Sequence, residues 1–408
     1  MEIILGLVGL LVALIVALWL AVRITEITGP LLVGFVLRAT LAIVDAVVVR
    51  LPGAADGVGW DRVAALYARN GLDGALEHIG TGHDLYIWCM GVLYATFGRS
   101  ALMIQSINVL LGTIVVVAVY RLSSDLGADR VASRRIAWLT AVFPSLIFFS
   151  SVLLREVAVS LPLLFSVVYL VRWYRDRSVF SAMLALMYLL ISMAFHSGGL
   201  AVLLFAGIWL IGTWLRAMLA GRFETLLRNS VALILGLAVV GLVLASGFGQ
   251  QKFHGLETGD ISVLSERQEG FAQGRTAYLG DLHATSTLDL LWQTPIRLVY
   301  FLFAPFPWML ETGSDAFGVI DSLLFVALVA RVIRNRKTVA GNPLTLMTLG
   351  VFAAMAIVFA IGVSNYGTAL RHRNKMLPLL IAAAGSIPSR RRIDALPASP
   401  AVRAQVAG

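Results

Sequence analysis

SNYGTALRHRNKMLPLL, Ser364 to Leu380, lies between two apolar runs and carries Arg371, His372, Arg373 and Lys375 within five residues. Its reading decides the fold, because counting spans outward from it in both directions puts the cluster on the outer face of a membrane. Short outer loops are ordinarily poor in Lys and Arg. The expectation is an outer opening over 364 to 375, followed by a span over 376 to 388.

The surrounding composition sets the class. Of 408 residues, 59% are hydrophobic and only 13% charged, with mean hydropathy +0.86. That exceeds what a soluble core uses. The chain reads as an all-α polytopic membrane protein with roughly eleven transmembrane helices plus interfacial or re-entrant ones. Its net charge of +9 falls in short clusters between apolar runs, as cytoplasmic loops do, so no nucleic acid partner is expected. A single cysteine, Cys89, excludes an intramolecular disulfide and a cysteine-based metal cage. Met1 to Val22 has no basic leader and is long enough to span, so it reads as a retained helix.

Candidate spans are 3 to 22, 31 to 49, 101 to 120, 136 to 153, 157 to 171, 179 to 195, 199 to 215, 230 to 248, 316 to 331, 344 to 363 and 376 to 388. Clusters around Arg121 and Arg130, Arg172 to Arg177, Arg216 to Arg228, Arg331 to Lys337 and Arg390 to Arg392 are assigned to the cytoplasm. Alternation then leaves four connections outside: Arg155 with Glu156, the turn His196 to Gly199, the loop 249 to 294, and 364 to 375. Residues 83 to 98, and 295 to 310 with Pro305 and Pro307, are short half-spans, a pattern common where irregular backbone lines a cavity. The stretch 51 to 82 is too polar to span. Its apolar residues recur at helical spacing on either side of Asn70-Gly71, predicting two amphipathic helices on the membrane surface. Residues 393 to 408, rich in Ala and Pro, read as a disordered cytoplasmic tail. The chain contains no Walker A loop, HExxH, GxSxG or dinucleotide fingerprint, and no obvious internal repeat.

The run LLVGFVLRATLAIVDAVVVRLPGAADGVGWDRVAALYARNG, continuing through LYIWCMGVLYATFG to SSVLLREV, resembles the first third of the GT-C superfamily of membrane glycosyltransferases. LLREVAVSLPLLF, then AFHSGG opening the next helix and RHRNK late in the chain, is similar to the EpsG and Wzy type of polysaccharide polymerase. Both resemblances imply glycosyl transfer from a polyprenyl-(di)phosphate-linked sugar in assembly of bacterial exopolysaccharide or O-antigen. They also imply the bacterial inner membrane, with membrane lipid, a polyprenyl-linked saccharide and other polysaccharide-assembly proteins as partners. Two departures stand out. Asp56 and Asp61 are five apart with no adjacent acidic partner, which argues against a divalent metal, and His83-Asp84-Leu85 replaces the HPP-like motif of some members.

A departing lipid phosphate needs positive charge as its bond breaks, and arginine grips phosphate oxygens with two parallel donors. Arg371 and Arg373, with Lys375 and Arg155, are the expected anion site, which gives the outer cluster its reason. The acceptor hydroxyl needs a base. Asp56 matches the acidic position of the GT-C outer loop and is the first candidate. Asp61 is the second, with a helix N-cap as its alternative. His196, backed by two glycines, is a base, a phosphate donor or a structural helix end. Glu156 matches an acidic position of the same superfamily. Glu77, His78, His83 and Asp84 lack tight metal-ligand spacing, and no metal site is assigned. The rival readings are a lipid-linked oligosaccharide flippase and a scaffold of an export complex.

Overall fold

The computed structural model describes residues 1 to 227, 229, 230, 234, 236, 241 and 262 to 388. The expected span 230 to 248, the first part of the long loop, the cluster Arg390 to Arg392 and the tail 393 to 408 fall largely or wholly outside the described residues.

The described chain is all helix, with one isolated bridge between Ala277 and Asn365 and no strand. Its first third comprises α1 (Glu2–Arg23), α2 (Thr28–Ile43), α3 (Ala55–Tyr67), α4 (Gly71–Leu76), α5 (His83–Phe97) and α6 (Ala101–Asp125). The middle comprises α7 (Arg130–Val142), α8 (Pro144–Phe149), α9 (Glu156–Asp176), α10 (Val179–Phe195) and α11 (Leu200–Leu219). The last part holds α12 (Ser262–Phe271), α13 (Thr287–Phe303), α14 (Gly313–Arg334), α15 (Arg336–Ala340), α16 (Pro343–Gly362) and α17 (Tyr366–Ser386). Seven helices are long and apolar enough to cross a membrane: α1, α2 with its flanking turns, α6, α9, α11 with the turn before it, α14 and α16. The chain is therefore read as multi-pass.

Three expectations change. Residues 364 to 375 are not a loop. Asn365 caps α17, its Oδ1 accepting from the N–H groups of Gly367 and Thr368 at 2.9 and 3.2 Å, and the helix runs unbroken through the basic cluster and Pro378. Residues 136 to 153 are not one span, because Pro144 drives Phe143 to φ −67, ψ 125 and splits α7 from α8. The half-span placed at 295 to 310 begins earlier, as α13 continues through Pro295 and ends at the cis Ala304-Pro305 bond. The paired amphipathic helices over 51 to 82 form as α3 and α4, joined at Gly71 with φ +71.

Helix α17 is the centre of the bundle. Met376 through Ala384 are at most 1% exposed except at Pro378, which is also buried, and α6, α7, α9, α13, α14 and α16 pack around them. Lipid offers no hydrophobic gain over another helix, so close backbone approach decides such packing. At Gly385 a Cβ would sit 2.3 Å from the Ile136 side chain, so a glycine lets α7 lie against α17.

The described parts of the four connections assigned to the outer face meet at one end of the bundle. Arg155 donates to the Phe195 carbonyl at 2.7 Å, the His196 and His372 rings lie 5.3 Å apart, and the Tyr278 N–H donates to the Ser364 carbonyl at 2.9 Å. The opposite end gathers arginines, with Arg172 and Arg175 on Asp125 and Arg331 on the last carbonyls of α17.

Candidate functional site

Three remote segments converge at the first of these ends. The sharp turn before α9 leaves Glu156 as that helix's first residue, buried at 1% exposure. Arg371 and Lys375 are four apart on α17 and so share one face. Arg371 Nε donates to Glu156 Oε1 at 2.8 Å, and Lys375 Nζ stands 3.7 Å from the same oxygen. Arg371 Nη1 reaches Asp56 at the start of α3, 2.5 Å from its Oδ2. Asp56 belongs to the amphipathic layer, its side chain 57% exposed against 1% for Glu156. The arginine thus bridges one carboxylate open to the surface and one deep in the bundle.

Aromatic and imidazole groups border the triad. Trp60 on α3 has the Arg371 and Arg155 guanidinium groups over its ring, at 5.6 and 5.9 Å. Such contacts hold a cation without neutralising it. Lys375 Nζ lies 2.6 Å from His372 Nδ1, and the His372 ring stacks on Phe359 at 4.5 Å. Behind it, the Gly198 N–H donates to His196 Nδ1 at 2.9 Å. That bond occupies the lone pair of Nδ1 and places the proton of a neutral His196 on Nε2. Burial pulls the Arg155 pKa below the ordinary arginine value, with the adjacent Glu156 charge acting the other way.

Two buried polar atoms here have no hydrogen-bond partner among the described residues, Glu156 Oε2 and Arg155 Nε. Arg371 spends two of its five N–H donors, leaving Nη2 unengaged. Unsatisfied buried groups of this kind are costly unless a ligand meets them.

The structure therefore gathers Asp56, Arg155, Glu156, His196, Arg371 and Lys375, and does not bring Asp61 or Arg373 to them. Asp61 faces α5, where it accepts from Tyr94 at 2.6 Å and pairs with Arg99. Arg373 lies two residues beyond Arg371, about 200° around the helix. It is buried among α13 and α14, donating to the carbonyls of Leu302 and Ala304 and to Ser322 Oγ at 2.5, 2.9 and 3.2 Å. The expected Arg371 and Arg373 clamp on one anion is corrected by this geometry. Trp60 and His372 were missed as site residues. Trp60 had a signal, a large aromatic beside Asp61 in a polar stretch, whereas the place of His372 follows only once α17 is known to be a helix.

The described part of the long loop packs over this end. Arg297 on α13, 1% exposed, donates to Ser364 Oγ and Gln268 Oε1 at 3.1 and 2.9 Å and to the Leu282 carbonyl. Arg275 pairs with Asp315 at 2.6 Å. Residues 268 to 282 are thereby tied to α13, to α14 and to the junction between α16 and α17. His83 and Asp84 contact one another at 3.3 Å and His78 stacks on Tyr67. Among the described residues no three His, Cys, Asp or Glu side chains group as metal ligands.

Comparison with known proteins finds no matching family model, no matching curated protein and no matching solved structure.

Proposed function

We propose that the chain is a GT-C-like or Wzy-like membrane enzyme that transfers sugar from a polyprenyl-(di)phosphate carrier in bacterial surface-polysaccharide assembly. The observation that carries this reading is Arg371 held between exposed Asp56 and buried Glu156, with unsatisfied Glu156 Oε2 and Arg155 Nε beside it. A lipid-borne phosphate enters at the amphipathic layer and takes the free edge of Arg371, with Arg155 and Lys375 adding positive charge. Asp56 accepts the acceptor hydroxyl's proton as that oxygen bonds the anomeric carbon. The bond from that carbon to the phosphate oxygen breaks, and its electron pair leaves with the phosphate, where the cations stabilise it. Glu156 fixes Arg371 and Lys375, and its Oε2 is open to a sugar hydroxyl. His196 acts as an Nε2–H donor in this arrangement rather than as a base.

The intramembrane charges favour this reading over a flippase. Arg38 is bonded to Ser150 and to the carbonyls of Gly34 and Ala141, Asp45 to Gln105 and the Leu51 N–H, and Asp321 to the Ser145 N–H. These residues hold backbone in place instead of lining a path.

The test is transfer by the full chain in nanodiscs, on a panel of polyprenyl-diphosphate saccharides. Asp56→Asn is expected to lower turnover by about a hundredfold or more, and Arg371→Ala to abolish it. Full activity in either variant rejects the assignment.

A further inference from the structure

A cavity lies at the opposite end of the bundle, between α9, α11 and the residues Arg222, Thr225 and Asn229. It encloses about 410 Å³ and is lined by Arg177, Arg216 and Arg222 together with Trp173, Tyr174 and Trp209. Helix α9 runs from Glu156 at the candidate active site to Asp176 beside this cavity, and its 21 residues span roughly 30 Å. The two sites are thus one bilayer core apart.

The arginines at this end are not equivalent. Arg172 and Arg175 are neutralised by Asp125 and Asp176, at 2.7 to 3.1 Å. Among the described residues no carboxylate lies within ion-pair distance of Arg216 or Arg222, although both face the cavity. Arg177 sits with its guanidinium 4.8 Å from the Tyr174 ring centroid, its backbone in the left-handed region at φ +58. Trp209 Nε1 is buried with no hydrogen-bond partner, and Asn229 donates to Thr213 Oγ1 at 3.2 Å on the same wall. A solvated basic face needs neither a walled cavity nor an unpartnered indole N–H. Convergent arginines, an indole donor and aromatic walls at interface depth match a phosphate group carried on an apolar body.

We propose that this cavity binds a phosphate group, supplied by an anionic phospholipid headgroup or by a soluble phosphate. The site is independent of the transfer chemistry at the other end. The test exchanges the full chain into liposomes of phosphatidylcholine with graded phosphatidylglycerol and counts retained phosphatidylglycerol by native mass spectrometry. Inorganic phosphate is titrated in a second arm. Arg216→Ala with Arg222→Ala is expected to weaken retention about thirtyfold. The charge-keeping pair Arg216→Lys with Arg222→Lys, chosen to preserve the fold, retains it within a few-fold. Arg134→Ala with Arg135→Ala, exposed arginines on the same face outside the cavity, leaves it unchanged. If inorganic phosphate binds without phosphatidylglycerol and with the same arginine dependence, the source is soluble. Equal loss in the Arg134 and Arg135 pair, or no loss in the Arg216 and Arg222 pair in both arms, overturns the proposal.

Discussion

Arg371 and Arg373 are the same residue type, two positions apart, with opposite work. Arg371 spends its donors on carboxylates and keeps an open edge. Arg373 spends its donors on neutral oxygens at the end of α13 and on Ser322 of α14. Nothing in RHRNK distinguishes them, because the difference is one of helix face, and face has no meaning while the stretch is read as a loop. The segregation of charge toward one end was readable, since positive-inside alternation does not depend on local conformation, whereas Asp56 and Glu156 were named on the GT-C resemblance and Lys375 on the basic cluster. Asp61 was misread for a related reason, because its partners Tyr94 and Arg99 lie beyond the reach of local pattern. Truncating Arg373 strands two buried carbonyls. Arg373→Ala is expected to cost on the order of 3 kcal/mol of stability, seen as a lowered Tm in detergent. Arg371→Lys, which leaves a cation beside buried Glu156, keeps Tm closer to wild type while lowering transfer. A stable Arg373→Ala protein contradicts this division.

Helix ends in this chain recruit arginine. Arg38 takes the Ala141 carbonyl where α7 ends before Pro144, Arg155 the Phe195 carbonyl at the end of α10, Arg331 the Ala384 and Ile387 carbonyls, and Arg373 those of Leu302 and Ala304 at the end of α13. Broken backbone at membrane depth must find donors within the protein, and a long guanidinium reaches several carbonyls at once. Composition shows the arginines and prolines but not which meets which. The amphipathic element α3 depends on a different device. A Cβ on Gly57 would lie 2.3 Å from the Leu153 carbonyl oxygen, so the glycine lets α3 seat against the turn before α9 and brings Asp56 to Arg371. Gly57→Ala displaces that contact, and transfer is expected to fall about a hundredfold. Gly59→Ala, with open space around it, retains transfer. Equal activities would disprove the positioning role of this close approach.

Across the whole molecule, the two ends differ in chemistry as well as in charge. One carries the carboxylate-arginine bridge beneath amphipathic helices, and the other carries arginine and tryptophan. Assigning the first to the outer side makes a direct prediction in intact cells. With Cys89 replaced by serine, a membrane-impermeant maleimide is expected to label Gly59→Cys from outside and Arg134→Cys only after permeabilisation. The reverse pattern inverts the assignment. The apolar runs were readable over most of their length because lipid-facing surface leaves a compositional trace. The central helix was read only over 376 to 388, because its first half is as polar as a loop.

The bridge through Arg371 also dictates an order of assembly. Its partners precede it by 315 and 215 positions, so a ribosome delivers Asp56 and Glu156 long before their shared cation. Until then Glu156 has only the adjacent Arg155 to offset its charge. The last helix to leave the ribosome with a described structure is the one that makes the protein whole.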